Sequence, residues 1–137
     1  MKVNDHVWDL VNRRKPTAGF LATADGEGDC DVACLSSLEL SDSETVTMLI
    51  GDNRTLANLK QNPRAVFIVA VGDTMEDADG CRVYLEVKDI AEEGPVIDKG
   101  REIIVAAAGP EMAGAVKAFV SFDVTDVRPL IDVGQHI

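Results

Sequence analysis

The sequence predicts a mainly β protein, an antiparallel barrel of six strands with short flanking helices. Three observations carry that expectation. Short apolar or alternating runs recur at 18–24, 30–40, 45–51, 65–71, 82–91 and 118–127. Turn signals separate several of them: DGEGD at 25–29, SDSE at 41–44, the acidic GDTMEDADG at 72–80 and EEG at 92–94. Hairpin connections of that kind imply antiparallel neighbours, and closing the sheet removes the exposed edges that make open sheets associate.

Taken in order, residues 4–14 read as a short amphipathic helix with Val7, Leu10 and Val11 inward and Trp8 packed nearby. The basic cluster Arg13, Arg14 and Lys15, followed by Pro16, ends it as a solvated cap. AGFLATA at 18–24 is a strand and DGEGD a hairpin turn. Residues 30–40 then alternate as one strand. Cys30, Val32, Cys34, Ser36, Leu38 and Leu40 share a face, and Asp31, Ala33, Leu35, Ser37 and Glu39 share the other. Residues 45–51 form the third strand, with Val46, Met48 and Ile50 together. After strands at 65–71 and 82–91, residues 96–108 read as a helix with Ile97, Ile103, Ile104 and Ala107 inward. Gly109 and Pro110 break it and a brief helical segment follows. The last strand, 118–127, alternates Val120, Phe122 and Val124 with polar residues, and 128–137 is a tail.

The 137 residues make one domain, large enough for a single core. At 46% hydrophobic but only 4% aromatic, that core is built from Val, Ile, Leu and Ala. A formal charge of -11 excludes general nucleic-acid binding and docking on an anionic membrane. No apolar run reaches the ~20 residues of a membrane span, and the polar start MKVNDHVWDL is no signal peptide, so the expected compartment is the cytoplasm. Three cysteines, an odd number, fit reduced thiols.

The chemistry concentrates in IGDNRTLANLKQNPR at 50–64. A strand ends at Gly51, Asp52 or Asn53 caps a helix beginning near Arg54, and Leu56 and Leu59 face inward. Asn62 and Pro63 end it. The first amides of such a helix lack partners and favour an anion, and Arg54 and Thr55 sit there. Between Lys15 and Arg54 the chain has no other Lys or Arg. The bland alternative is a solvated helix start with Arg54 paired to Asp52.

Other constellations carry less. Asp77, Asp79, Gly80 and Glu86 fall on positions of a calcium loop, but Met75 holds its first ligand place and Glu86 lies in a strand. Cys30 and Cys34, four residues apart on one strand, stand roughly 13 Å apart, too far for a disulfide that needs under about 7 Å. Cys34 and Cys81 read as buried small apolar residues. His6 and His136 have no ligand-spaced partner, so no metal site is expected. There is no nucleophile–base pair, Walker A loop or GxGxxG.

GFLAT at 19–23, DVACLSS at 31–37, LIGDNRTLANLKQNPR at 49–64, RVYLEVKDIAEEG at 82–94 and the final strand leading into RPLIDVGQHI occur in an order that resembles the pyridoxamine 5'-phosphate oxidase-like FMN-binding split barrels. The resemblance implies a six-stranded split barrel that dimerises, with two FMN molecules at the subunit interface. It implies that Arg54 and Thr55 hold the phosphate with Asn58 close by. It places Val32, Ala33, Cys34 and Leu35 along the FMN, and Ile50, Gly51 and Asp52 near the isoalloxazine edge, where a glycine lets a flat ring approach the backbone. The implied role is electron transfer or flavin-dependent oxidoreduction. The chain lacks the length and C-terminal substrate segment of true pyridoxamine-phosphate oxidases, so that activity is not expected. Two rivals share the fold: a barrel using a deazaflavin or haem, and a cofactor-free dimeric binding or stress-related module.

Overall fold

The structure, a computed structural model, describes residues 1–13 and 19–135. Arg14, Lys15, Pro16 and His136 lie outside these, and with them the expected end of the first helix.

The elements are α1 (Asp5–Asn12), β1 (Gly19–Ala24), β2 (Cys30–Leu35), β3 (Glu39–Asp42), β4 (Thr45–Gly51), α2 (Arg54–Gln61), β5 (Arg64–Val71), β6 (Asp79–Ala91), α3 (Pro95–Ala108), α4 (Pro110–Gly114) and β7 (Val116–Pro129). The strands form one antiparallel sheet in the order β2-β1-β5-β6-β7-β4-β3. α1 is capped by Asn4, whose side chain accepts the Val7 amide at 2.9 Å, and it buries Val7, Leu10 and Val11. Trp8 packs half-buried against the same core.

The run 30–40, expected as one strand, is two. β2 is one edge of the sheet and β3 the other, joined by Ser36, Ser37 and Leu38. This is why seven strands are present where six were expected. It also explains the closure. Seven flat strands would hold their edges about 29 Å apart, whereas the step from Leu35 to Glu39 spans at most about 14 Å. The sheet must therefore curl until the end of β2 lies within that reach of the start of β3. Ser37 fixes the step by donating its hydroxyl to the Leu49 carbonyl at 2.7 Å. Asn12 pairs with β3 as another strand would, donating to the Leu40 carbonyl at 3.0 Å and accepting its amide at 2.7 Å.

The same step reverses which side faces in. Leu38 and Leu40 are buried, but Cys30, Val32 and Cys34 face outward. The expectation of a buried Cys34 is thus wrong, because alternation fixes which residues share a face and not which face meets the core. Cys81 is fully buried, as expected.

Inside the barrel Leu21, Val46, Met48, Phe67, Val83, Leu85, Val120, Phe122 and Val124 close the core. Gly19 is required by packing, since a Cβ there would lie 1.9 Å from the Phe67 ring. α3 departs from expectation. Ile97 is buried and Ile104 half-buried, but Ile103 is 61% exposed and Ala107 is exposed too. The helix touches the barrel near Gly100, where a Cβ would come 2.9 Å from the Leu49 methyls, and its later turns rest on α4. Beyond β7, Asp132 takes two bonds from Arg128 and one from Arg82, at 2.7–2.9 Å. The Arg128 bonds, then the Gly134 amide, hold its carboxyl down to about 2. No helix among the described residues is long and apolar enough to cross a membrane.

Candidate functional site

β4 delivers the chain to the start of α2. Asn53, in extended conformation, caps that helix by accepting the Leu56 amide at 3.0 Å. Of the two caps the sequence allowed, the structure uses Asn53. The cap satisfies the third amide and leaves those of Arg54 and Thr55 without an acceptor among the described residues.

Arg54 is exposed and forms no ion pair or hydrogen bond through its side chain among the described residues, with Asp52 or any other carboxylate. In so acidic a chain that is informative. Arg13 pairs with Asp9, Arg82 and Arg128 pair with Asp132, and Arg101 donates to the Val116 carbonyl. Among the described arginines, Arg54 and Arg64 are the two whose guanidinium groups have no partner, and they bracket α2. Thr55 is 2% exposed, and its hydroxyl has no hydrogen-bond partner among the described residues. A buried polar atom left unpaired is costly, and such atoms commonly await a ligand or water. Asn58 is also buried, and its amide donates to the Thr23 hydroxyl at 3.1 Å.

Beside the helix start lies a groove of about 420 Å³. Cys34 and Leu35 of β2, Ile50 and Gly51 of β4, and the cap Asn53 form one side, while Ile104, Met112 and Ala115 face them. A second groove, of about 490 Å³, lies over the earlier part of β2, where Val32 meets Ala22, Arg64, Tyr84 and Glu86. β2 thus runs from one groove into the other, with Ala33 half-buried between them. The structure gathers Cys34, Leu35, Ile50 and Gly51 in one place. It sets Asp52 exposed beside the cap, Val32 in the neighbouring groove, and Arg54, Thr55 and Asn58 on the adjoining helix.

Gly51 also has a packing reason within the chain. A Cβ there would lie 3.2 Å from the Ala115 carbonyl, so the close approach is made by this chain's own backbone. Sequence reasoning did not find the α3–α4 wall or Arg64. The exposed apolar side chain of Met112 marks that wall, but it becomes informative only once the barrel's position is known.

Apolar walls beside a free guanidinium, two free amides and an orphaned hydroxyl suit a ligand with an apolar planar part and an anionic end. The thiols divide by the same geometry. Burial, then the charge of Asp79, pushes Cys81 up to about 12, whereas Cys30 and Cys34 are exposed. A thiol reagent added to native protein at neutral pH is expected to modify Cys30 and Cys34 quickly and Cys81 only after unfolding. Mass spectrometry of the labelled peptides checks this, and rapid labelling of Cys81 would contradict the described burial.

No protein-family model matches the sequence, and no curated protein does. Solved structures do. One is an FMN-binding protein from Syntrophomonas wolfei subsp. wolfei, 25% identical, covering 93% of this chain and 85% of that one, with a TM-score of 0.78. A second is an F420 reductase, 21% identical, covering 91% and 98%, with a TM-score of 0.68. A third is HutZ, a haem storage protein from Vibrio cholerae, 14% identical, covering 98% and 100%, with a TM-score of 0.64. The chain is a split barrel. Its fold is that of the pyridoxamine 5'-phosphate oxidase-like proteins.

Proposed function

We propose that this chain is a cytoplasmic, homodimeric FMN-binding flavoprotein serving electron transfer or flavin-dependent oxidoreduction. The observation that carries the reading is the start of α2. There an unpartnered arginine, two free amides and an orphaned hydroxyl directly follow Asn53, which lines an apolar groove. Arg54, the amides of Arg54 and Thr55, and the Thr55 hydroxyl would hold the phosphate. Val32, Ala33, Cys34 and Leu35 would run along the flavin, and Ile50, Gly51 and Asp52 would border its ring. FMN, when bound, supplies the redox chemistry, and the chain supplies binding, orientation and electrostatics. Exposed, unpaired Cys30 and Cys34 suit a reducing compartment.

Purified protein is expected to be yellow, or to quench flavin fluorescence when FMN is titrated in. Colourless protein that fails to bind FMN would overturn the reading in favour of a cofactor-free module, and a Soret band would favour haem.

A dimer is expected because the grooves are open and their surroundings apolar. Phe20 and Val32 on the barrel, and Ile103 and Met112 on the helices, are between 44% and 65% exposed. A two-fold interface covers such a patch by using it twice. Light scattering at micromolar protein with FMN present should report twice the chain mass, and a pure monomer would refute the dimer.

A further inference from the structure

We infer that Thr23 and Asn58 form a buried latch that positions the start of α2 against β2, and so act on the phosphate site through the groups that the helix start presents. The inference rests on the FMN reading above.

The two halves of the proposed site come from separate elements. The cation, free amides and orphaned hydroxyl belong to α2, and the strip along the flavin belongs to β2. Their mutual position depends on how α2 sits on the β1–β2 hairpin. Leu56 and Leu59 bury the helix, but apolar contact is non-directional and tolerates rotation about the axis. A hydrogen bond between side chains does not. The bond from Asn58 to Thr23 joins two residues that are 5% and 4% exposed, so water does not replace it readily. An exposed second tie runs from the Gly26 amide to Gln61 at the far end of the helix.

Thr23 is well placed for the task. It lies directly across from Asp31 of β2 on one side and Ala65 of β5 on the other. The rung that fixes the helix is therefore the rung immediately before the strip Val32–Leu35. On the helix, Asn58 lies about 40° from Arg54 and about 60° from Thr55, at about 100° per residue. The two groups flank Asn58, so any rotation that breaks the latch swings one of them toward β2 and the other away, and their joint aim is lost.

The test is a double-mutant cycle read as FMN and riboflavin affinity by flavin fluorescence. Thr23→Val keeps the β-branched shape and removes the hydroxyl. Alone it should weaken FMN about ten-fold while changing riboflavin less than about two-fold. In an Arg54→Ala background it should weaken FMN by clearly less than about ten-fold, because one of the groups it positions is gone while the amides and the Thr55 hydroxyl remain. Thr23→Ser, which retains the hydroxyl, should bind FMN as the parent does. Asn58→Leu is the second route should Thr23→Val not fold, with the same pattern expected. Losses from Thr23→Val and Arg54→Ala that multiply, or equal losses of FMN and riboflavin, would overturn the latch while leaving the FMN reading standing. Failure of the parent protein to bind FMN would overturn both.

Discussion

Arg54→Ala is expected to weaken FMN binding roughly ten- to hundred-fold while leaving riboflavin binding nearly unchanged. A hydrogen bond to a charged group contributes about 1.5–3 kcal/mol, and that is the energy the substitution removes. The fold should not suffer. The side chain is exposed and bonded to nothing among the described residues, so no buried partner is stranded. Arg54→Lys should recover part of the loss, because an ammonium supplies the charge without the planar fork. Titration of wild type and both variants with each flavin, by fluorescence, measures this. Equal FMN affinity in wild type and Arg54→Ala would mean the phosphate lies elsewhere, with Arg64, the other unpartnered arginine, next in line. Equal losses for the two flavins would assign Arg54 to the ring pocket or the fold.

Phe122→Ala should lower stability by about 3–5 kcal/mol. Phe122 has no exposed surface and sits in the middle of β7, opposite Val46 of β4 and Val87 of β6. With so few aromatic residues in the chain, its ring fills volume that Val and Leu neighbours cannot reach by relaxing. Against the 5–15 kcal/mol typical of a domain, the loss takes about a fifth of the stability or more. Urea unfolding should show a lower midpoint with an unchanged slope. A loss below about 1 kcal/mol would mean the interior at that level is not close-packed.

The parts of this molecule legible in the sequence were those governed by local chemistry. The Asn53 cap, the inward Leu56 and Leu59, the Asn62 end of α2 and the Val46–Met48–Ile50 face of β4 follow from spacing and residue type, and the structure has them. What escaped depended on partners distant in sequence. Alternation runs unbroken from Cys30 to Leu40, so nothing local announces that the chain changes edges at Ser36–Leu38 or that Cys34 faces out. Helical spacing marks Ile103 and Ala107 as an apolar face, but only the barrel's position decides what that face meets. At the site, the helix start was readable from Arg54 and Thr55. The wall opposite, from Ile104 to Ala115, lies half a chain away and left no local mark. Asn58 shows the limit most clearly. It was legible as a neighbour of the phosphate end, but Thr23, to which it is bonded, lies 35 residues earlier.

The path of α2 has a kinetic consequence. The helix joins β4 to β5, which are separated by β6 and β7 in the strand order, so it crosses an end of the barrel and carries core residues Leu56 and Leu59 there. The element that presents the free amides is thus also the stopper of the interior. A ligand held at its N-terminus binds only the closed form and suppresses local opening, by about 2.7 kcal/mol at a hundred-fold excess over its dissociation constant. Amide hydrogen exchange in α2 and in the facing part of β1 should then slow as the site fills. Release of a tightly held ligand and momentary unstopping of the barrel would become one event, sharing one rate.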